Sequence, residues 1–363
     1  MSGGYVLSAL CFAAISLVTC EISCRNEAGA SVDWFVVYKL PIRRINATAG
    51  PGLEYLYLDS TSQTWEVSRF LINMSQGAVG RTLQQLYQSY NTNDTAYMMY
   101  NDSPPGTNNY TTQRGHSKGT LFFDRFQGFW LIHSVPHFPP FPEDGFGYPH
   151  TGQQYGQSAI CVTYRYDQFK EIASQLLYYN PNAYNCSVPD LYHKELWSLL
   201  RICQGKSFPW IETTRLVPLE SAQGEVFLNF AKSKYFVDAD IYAAWIAQKL
   251  GSDLLSETWQ PAGMELPSNC SLPRHVYNIK RLALPKISFY SLYDHSKWCV
   301  SKLGEDAWTC IGDLNRYPAQ KWRSGGFICT QNAVIYRAFS GMVAYYKACQ
   351  NSTVYTDDST YSH

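Results

Sequence analysis

The stretch RGHSKGTLFF, residues 114–123, places a histidine and a lysine two residues apart at the start of an apolar run. The stretch DHSKWCV, residues 294–300, repeats the same His-Ser-Lys order in the second half of the 363-residue chain. In both places a turn-rich segment and a second apolar run follow. The repeat therefore predicts two similar strand–turn–strand units, each with its motif at the start.

The side chains of the two motifs are candidate catalytic residues. Because residues i and i+2 of a strand point to the same face, the histidine and the lysine of each motif are expected to project toward one ligand. A neutral imidazole can attack phosphorus, a protonated one can give its proton to the leaving oxygen, and ammonium groups can neutralise the non-bridging oxygens. We therefore predict that one phosphodiester-cleaving site contains His116, Lys118, His295 and Lys297. The motifs leave open which histidine attacks.

The composition limits the classes of partner. With 45% hydrophobic and 15% aromatic residues, the chain is not of the disordered class. Its 29 Lys and Arg balance 29 Asp and Glu, so it has no excess of positive charge to hold a polyanion at neutral pH. Its 8 histidines would add positive charge near pH 5, and neighbouring lysines lower imidazole pKa values. We therefore expect an optimum below neutral pH.

The first residues are typical of a secreted protein. Residues 1–20 are expected to form a signal peptide, because an uncharged apolar run precedes Glu21. No other segment approaches ~18 uninterrupted apolar residues, so no stable membrane anchor is expected. Nine cysteines follow residue 20 and lack the paired spacing of a zinc site, so we expect disulfides and at least one unpaired thiol.

Glycosylation sequons agree with a secretory route to the lysosome or the cell exterior. One further sequon, at Asn101, is disfavoured because Pro104 follows its serine. The candidate glycosylation sites are Asn46, Asn73, Asn93, Asn109, Asn185, Asn269 and Asn351.

Hydrophobic periodicity and turn residues predict a mixed α/β (α+β) fold with two similar sheet-plus-helix halves. The N-terminal half is placed at residues 21–195 and carries the first motif, and the C-terminal half at 196–350 carries the second. The polar tail 351–363 is expected to be disordered.

Three segments of the C-terminal half have the apolar spacing of amphipathic helices. They are SAQGEVFLNFAKS at 221–233, DIYAAWIAQKLGSDLL at 240–255 and NAVIYRAFSGMVAYYKAC at 332–349. We expect each to form a helix.

Six segments of the sequence resemble the deoxyribonuclease II family, which belongs to the phospholipase D-like superfamily. They are VDWFVVYKLP, GHSKG, FWLIHSVPHFPP, DHSKWC, WTCIGDLNR and SGGFICTQN, and the resemblance runs from about Cys24 to Cys349. The segments CRNEAG, GLEYLYLDST, RTLQQLYQSY and HVYNIK are most similar to the beta branch of that family. The resemblance implies a phospholipase D-like pseudo-dimer within one chain, with the active site where the halves meet.

The resemblance also implies an activity. It is the acid endonucleolytic hydrolysis of double-stranded DNA without a cofactor or divalent metal, leaving 3′-phosphate and 5′-hydroxyl ends in DNA degradation. The essential histidine of the second motif corresponds to His295, and the other catalytic positions to Lys297, His116 and Lys118. Neither motif has an aspartate at the usual superfamily offset. Further side chains expected to support the site are His133, Ser134 and Asn315.

A disulfide pattern follows from the same resemblance. It implies the pairs Cys24–Cys161, Cys270–Cys349 and Cys310–Cys329, and it leaves Cys186 to pair with Cys203. Cys299 is then the free thiol, and we interpret it as a small buried apolar residue.

Two other functions remain compatible with the motifs. One is a lipid phosphodiesterase, because the superfamily also acts on phospholipids. The other is a luminal DNA-binding glycoprotein that has the fold without turnover. The oligomeric state is left open by the sequence.

Overall fold

The computed structural model describes residues 21–45, 48–107, 110–206, 212–236, 240–261, 264–284, 287–302, 304 and 306–356. The predicted signal peptide and the sequons at Asn46 and Asn109 lie outside the described residues. The described chain has the predicted mixed α/β fold, with two large sheets and short helices.

The first half supplies an eight-stranded sheet and a small separate ladder. Its strands are β1 (Cys24–Arg25), β2 (Ser31–Val32), β3 (Trp34–Lys39), β4 (Tyr55–Asp59), β5 (Glu66–Val67), β6 (Ala96–Asn101), β7 (Lys118–Phe123), β8 (Gln127–His133), β9 (Gln157–Arg165) and β10 (Ala183–Ser187). The sheet order is β10-β6-β7-β8-β9-β3-β4-β5, and β1 pairs with β2. The pairs of this sheet are antiparallel throughout the described residues.

The second half supplies a ten-stranded sheet. Its strands are β11 (Thr214–Glu220), β12 (Val226–Lys232), β13 (Leu254–Glu257), β14 (Val276–Leu284), β15 (Ile287–Tyr290), β16 (Trp298–Ser301), β17 (Thr309–Gly312), β18 (Gly325–Thr330), β19 (Val343–Lys347) and β20 (Thr353–Tyr355). The order is β11-β12-β18-β17-β16-β13-β14-β19-β20, with β15 paired to β14. Strands β13 and β14 are parallel.

The helices lie on the faces of the two sheets. They are α1 (Ala78–Ser89), α2 (Gln168–Tyr179), α3 (Asp190–His193), α4 (Trp197–Cys203), α5 (Ala247–Leu250) and α6 (Ala333–Ser340). A π-helical segment, Tyr242–Ile246, leads directly into α5. Short 3₁₀ turns occupy Pro142–Asp144, His150–Gly152, Ser291–Tyr293 and Pro318–Trp322.

One apolar core joins the two sheets. It contains residues from both, together with residues of α2, α4 and α6, and its largest side chains include Trp130 of β8 and Trp298 of β16. The opposite face of the first sheet packs against α1, and that of the second sheet packs against the helix at 242–250. Because both faces of each sheet are covered, central strands such as β3 are buried at every position rather than at alternate ones.

Each motif occupies the same local place in its half. The first half runs α1, β6, β7, β8, β9 and α2, and the second half places the helix at 242–250, β13, β16, β17, β18 and α6 in the same order. In both sheets the four named strands are neighbours and antiparallel. This correspondence supports the predicted pseudo-twofold relation of the halves, which stays a prediction.

The boundary predicted between residues 195 and 196 falls within a helical connection. The two large sheets divide the chain between Ser187 and Thr214. Helix α4 follows residue 196 but packs against α2 and β10 of the first half. The structure also contains the four implied disulfides, Cys24–Cys161, Cys186–Cys203, Cys270–Cys349 and Cys310–Cys329, with Cys299 free and buried.

The helix predicted at 221–233 is wrong. Residues 226–232 form β12, which lies between β11 and β18 and is joined to β11 by a turn in which Gly224 has φ +94°. In a strand covered on both faces, Phe227, Phe230 and Ala231 are all buried, and that spacing is the same as one face of a helix. The apolar spacing therefore could not distinguish a helix from a buried strand here.

Two further helices end earlier than predicted. The helix in 240–255 stops at Leu250, and Gly251 adopts a left-handed conformation before β13. The helix in 332–349 stops at Ser340, and β19 follows and pairs with β14. The tail predicted to be disordered from residue 351 is ordered at its start, because β20 pairs with β19; residues 357–363 lie outside the described part.

The disfavoured sequon at Asn101 is buried. Its side-chain amide donates to the carbonyls of Val135 and Phe138, at 3.1 and 2.9 Å, and its side-chain oxygen accepts the backbone N–H of Ser103. By contrast, the sequons at Asn73, Asn93 and Asn351 are exposed, and those at Asn185 and Asn269 are half-buried.

We expect Asn101→Ala to lower the free energy of unfolding by about 3 kcal/mol, because the variant leaves two buried carbonyls and one half-buried N–H without their partner. Urea denaturation followed by far-UV circular dichroism measures this change. The matched control is Asn91→Ala, since Asn91 is exposed. Equal unfolding midpoints for the two variants would contradict the assigned role.

Candidate active site

The two motifs meet at one cavity of about 330 Å³. Each motif enters its sheet at the start of a strand, with Lys118 opening β7 and Lys297 directly preceding β16. The four predicted catalytic residues all line this cavity, and so do Ser134 and Asn315. The remaining lining residues are Asp102, Ser103, Tyr110, Pro136, Trp259 and Tyr317.

Each motif is held by the backbone of the opposite half. The N–H of His116 donates to the carbonyl of Ser324 at 2.8 Å, and the N–H of His295 donates to the carbonyl of Gly156 at 2.8 Å. Ser324 immediately precedes β18 and Gly156 immediately precedes β9, so the two acceptors occupy corresponding places. The position of each histidine therefore depends on the docking of the other half.

His116 has a defined tautomer. Its Nδ1 lies 2.7 Å from the backbone carbonyl of Asp313. A carbonyl only accepts, so Nδ1 carries the proton and Nε2 of the neutral ring keeps its lone pair. That Nε2 lies 3.9 Å from a carboxylate oxygen of Asp102. The geometry leaves Nε2 of His116 as the nucleophilic nitrogen of this ring.

Asp102 is the charge partner of the first motif. One of its oxygens accepts from the ammonium of Lys118 at 2.5 Å, and the other accepts from the guanidinium of Arg323 at 3.0 Å. Burial by itself would raise the pKa of this carboxyl, but Lys118, His116 and Arg323 hold it well below its usual range. Asp102 is therefore ionised, and it joins a cation of the first half to a cation of the second.

The second motif has a different environment. The ring of Tyr155 stacks on the imidazole of His295 with a centroid separation of 4.1 Å, and the ring of Trp259 lies 4.4 Å away. Lys297 donates to the carbonyl of His295. Asp294, which precedes His295, accepts hydrogen bonds from Tyr38 and Ser296.

Burial and mutual repulsion depress the pKa values of the site. Burial lowers the pKa of both His116 and His295 well below the usual range, and the nearby lysine of each motif lowers it further. Burial, with the charge of Lys118, also lowers the pKa of Lys297 to about 7. An anion in the cavity would favour the protonated forms of these groups and so raise their pKa values.

The three predicted supporting residues have different positions. Ser134 lines the cavity and donates to Gln157 at 2.5 Å. Asn315 also lines it, and its side-chain oxygen accepts the N–H of Trp259 at 3.2 Å. His133 does not line it: its ring packs on Phe138 beside a small apolar cavity, where burial and the nearby charge of Lys118 lower its pKa to about 3. Its support of the site therefore stays a prediction.

Sequence reasoning missed several residues of this site. Asp102, Tyr155 and Trp259 contact a motif side chain, and Arg323 pairs with Asp102, but none of the four belongs to a recognisable catalytic pattern. Asp102 gave one weak signal, since it is a carboxylate that directly follows the buried strand β6. Its partner Arg323 is 221 residues away in the chain, so no local pattern could pair them.

Among the described residues, no group of three or more His, Cys, Asp or Glu side chains is arranged to hold a metal ion. Within the same part of the chain, no helix is long and apolar enough to cross a membrane.

Comparison with known proteins assigns the family. A family model described as Deoxyribonuclease II matches residues 23–349. The chain is 55% identical to deoxyribonuclease-2-beta of Homo sapiens over 333 residues, which are 91% of this chain and 92% of that protein. The chain belongs to the deoxyribonuclease II family. It is also 39% identical to deoxyribonuclease-2-alpha of Sus scrofa over 356 residues, 95% of each chain.

A more distant relative has a similar length. Plancitoxin-1 of Acanthaster planci is 36% identical over 337 residues, which are 90% of this chain and 92% of that protein. The resemblance to the deoxyribonuclease II family and to its beta branch is thus confirmed. The protein is a deoxyribonuclease of this family, and the cavity between its halves is the candidate active site.

We expect Asp102→Asn to lower the free energy of unfolding by about 3 kcal/mol, because it leaves the ammonium of Lys118 and the guanidinium of Arg323 buried without a counter-charge. We also expect DNA cleavage to fall about 100-fold, since Lys118 and His116 lose their anchor. Urea denaturation and plasmid nicking measure the two effects. Asp144→Asn, at an exposed aspartate, is the control; if it matched Asp102→Asn in both assays, the role of Asp102 would be refuted.

Proposed function

We propose that the protein is an acid endonuclease that hydrolyses phosphodiester bonds of double-stranded DNA without a divalent metal, leaving 3′-phosphate and 5′-hydroxyl ends. The observation that carries the proposal is the convergence of two imidazoles and two ammonium groups, from opposite halves, on one cavity. Such a set supplies a nucleophile, a general acid and the charge to stabilise a pentacoordinate phosphate.

The reaction begins with attack by His116. Its Nε2 bonds to phosphorus, the bond from phosphorus to the 5′ oxygen breaks, and protonated His295 gives its proton to that oxygen. The 3′-phosphoryl group then remains on His116. The hydrogen bond from Nδ1 to the carbonyl of Asp313 supports this assignment, because it places the proton on Nδ1 and leaves the lone pair on Nε2.

Water completes the cycle. His295, now neutral, accepts a proton from water as the water oxygen attacks phosphorus. The bond between phosphorus and Nε2 breaks, the 3′-phosphate departs, and His116 returns to its starting form. Lys118 and Lys297 neutralise the non-bridging oxygens in both steps, while the side-chain NH2 of Asn315, whose oxygen accepts from Trp259, offers a neutral hydrogen-bond donor at the cavity wall.

The charges of the cavity favour activity at acidic pH. Because burial and Lys118 lower the pKa of Lys297 to about 7, its ammonium is charged at pH 5 and loses its charge as the pH rises through neutrality. The general acid His295 must also be protonated, and its pKa is lowered by burial and by Lys297. Both groups therefore lose the active protonation state on the alkaline side.

The same properties fit work in the lysosome or outside the cell. Four disulfides are typical of proteins that mature along the oxidising secretory route. The sequons at Asn73, Asn93 and Asn351 are exposed and so accessible to the glycosylation machinery. We therefore propose a glycosylated enzyme that degrades DNA in an acidic compartment.

We expect plasmid nicking in EDTA to be maximal below neutral pH and to be lost almost completely in His295→Ala, because the leaving oxygen then lacks its acid. The measurement is the nicking rate between pH 4 and 8. His150→Ala is the control, since His150 is exposed at the start of the 3₁₀ turn His150–Gly152.

The same preparations separate the alternatives. Release of headgroup from phosphatidylcholine at pH 5, with no action on plasmid, would establish the lipid phosphodiesterase instead. Plasmid binding without nicking would establish the non-catalytic DNA-binding protein. Equal nicking by wild type and His295→Ala would refute the assignment of the general acid.

We expect a covalent phosphohistidine to form at His116. With thymidine 3′-(4-nitrophenyl phosphate), nitrophenolate leaves without a proton, so His295→Ala should complete the first step and stop at the second, which needs a base. A burst of nitrophenolate and a nucleotide adduct on the peptide containing His116, digested at neutral pH, are the expected results. An adduct that persists in His116→Ala would overturn the assigned nucleophile.

A further inference from the structure

The imidazole of His295 touches two aromatic rings, Tyr155 and Trp259, whose planes are inclined by 65° to each other. Its centroid lies 4.1 Å from that of Tyr155 with an interplanar angle of 7°, and 4.4 Å from that of Trp259 with an angle of 58°. The centroids of Tyr155 and Trp259 are 6.1 Å apart, so the three distances close a nearly right-angled triangle with His295 at the corner. Tyr155 therefore covers a face of the imidazole, and Trp259 meets its rim.

The two contacts restrain different motions. A parallel stack fixes the plane of the imidazole, and a contact at the rim limits sliding within that plane. His116 is oriented differently, through its hydrogen bond to the carbonyl of Asp313. The two catalytic histidines are thus held by different physical means.

Hydrogen bonds hold the backbone of Tyr155 and its neighbours in place. The buried ammonium of Lys39 donates to the carbonyl of Tyr155, and to that of Gln153 at 2.7 Å. The next residue, Gly156, donates its N–H to the carbonyl of Tyr293 at 2.8 Å and accepts the N–H of His295. These bonds set the register between the Tyr155 ring and the imidazole.

The backbone of Gly156 lies too close to Asp294 for any side chain at this position. A Cβ on Gly156 would lie 2.4 Å from a carboxylate oxygen of Asp294. On the other side, the N–H of Trp259 donates to the side-chain oxygen of Asn315 at 3.2 Å. Both aromatic residues are therefore tied by hydrogen bonds to segments that line or border the cavity.

The charges that face His295 oppose its protonation. The groups around it that carry or can take up positive charge are Lys297 of its own motif, Lys118 and His116 of the first motif, and Lys39, which bonds the carbonyl of Tyr155. The ring of His295 forms no ion pair within the described residues. The nearby carboxyl of Asp294 accepts hydrogen bonds from the hydroxyls of Tyr38 and Ser296, and that of Glu257 accepts one from the hydroxyl of Ser291. Aromatic faces are then the groups that can favour the imidazolium, through cation–π attraction.

We propose that Tyr155 and Trp259 are positioning residues for His295, which hold its imidazole in line with the leaving oxygen and favour its protonated form. The proposal rests on the proposed role of His295 as general acid. The motif residues His116, Lys118 and Lys297 do not orient the imidazole of His295 in this way.

The kinetic test compares Tyr155→Leu with the conservative variant Tyr155→Phe. We expect Tyr155→Leu to lower kcat about 100-fold with little change in KM, since a misplaced acid affects the chemical step more than DNA binding. The alkaline limb of its kcat profile should move to lower pH, because the imidazolium loses its aromatic partner. Tyr155→Phe should retain activity, and Trp259→Leu should behave like Tyr155→Leu.

Matched controls separate positioning from folding. Tyr355→Leu and Trp197→Leu remove exposed aromatic side chains and should leave kcat unchanged. Urea denaturation shows whether each variant retains the wild-type midpoint. Wild-type kcat in Tyr155→Leu, or an equal loss in Tyr155→Phe, would overturn the proposal.

A second readout does not depend on DNA cleavage. In protein labelled with ¹⁵N-histidine, the ring signals of His295 should report one orientation in wild type and Tyr155→Phe, and a lower pKa with averaged orientations in Tyr155→Leu. His275, which packs on Tyr277, is the internal reference. Unchanged His295 signals in Tyr155→Leu would refute the positioning role of Tyr155 even if DNA is cleaved as proposed. Changed signals in a protein that does not cleave DNA would instead refute only the proposed function.

Discussion

The exchange of backbone hydrogen bonds between the halves is the constraint on which the site depends. The N–H of His116 is held by Ser324, and the N–H of His295 by Gly156, each acceptor standing just before a strand of the opposite sheet. A carbonyl in such a position can be supplied only when the sheets dock over their shared core. Neither half therefore has a complete site by itself, and the geometry of the cavity is a property of the interface.

Similar backbones carry dissimilar side chains at the two motifs. Around the first histidine are the carbonyl of Asp313 and the carboxylate of Asp102, which suit a neutral, well-oriented nucleophile beside an ammonium group. Around the second are the rings of Tyr155 and Trp259. A fold with two equivalent motifs can assign them different roles in this way, because the surrounding residues, rather than the motif, set the orientation and protonation of each imidazole.

Concentrating cations in a buried cavity opposes folding. Neutral histidines with lowered pKa values take up fewer protons than they would in the unfolded chain, so acidification below about pH 6.5 lowers the free energy of unfolding in the absence of an anion. The ionised carboxyl of Asp102 offsets part of the repulsion, and the common core and four disulfides supply the remaining rigidity. A phosphate in the cavity would relieve the same repulsion, which is a physical basis for binding a polyanion with a chain of zero net charge.

The sequence by itself determined the mixed fold, the family and the repeated motif whose four side chains line the cavity, because those features lie in local pattern and in residues that recur. It did not distinguish the strand β12 from a helix, since a strand covered on both faces loses its alternation. Only the tertiary structure decided that Asp102 meets Arg323 across 221 residues and that the ring of His133 packs on Phe138 rather than lining the cavity. Such contacts are set by which strands pair and how the sheets dock, and neither is encoded in local spacing.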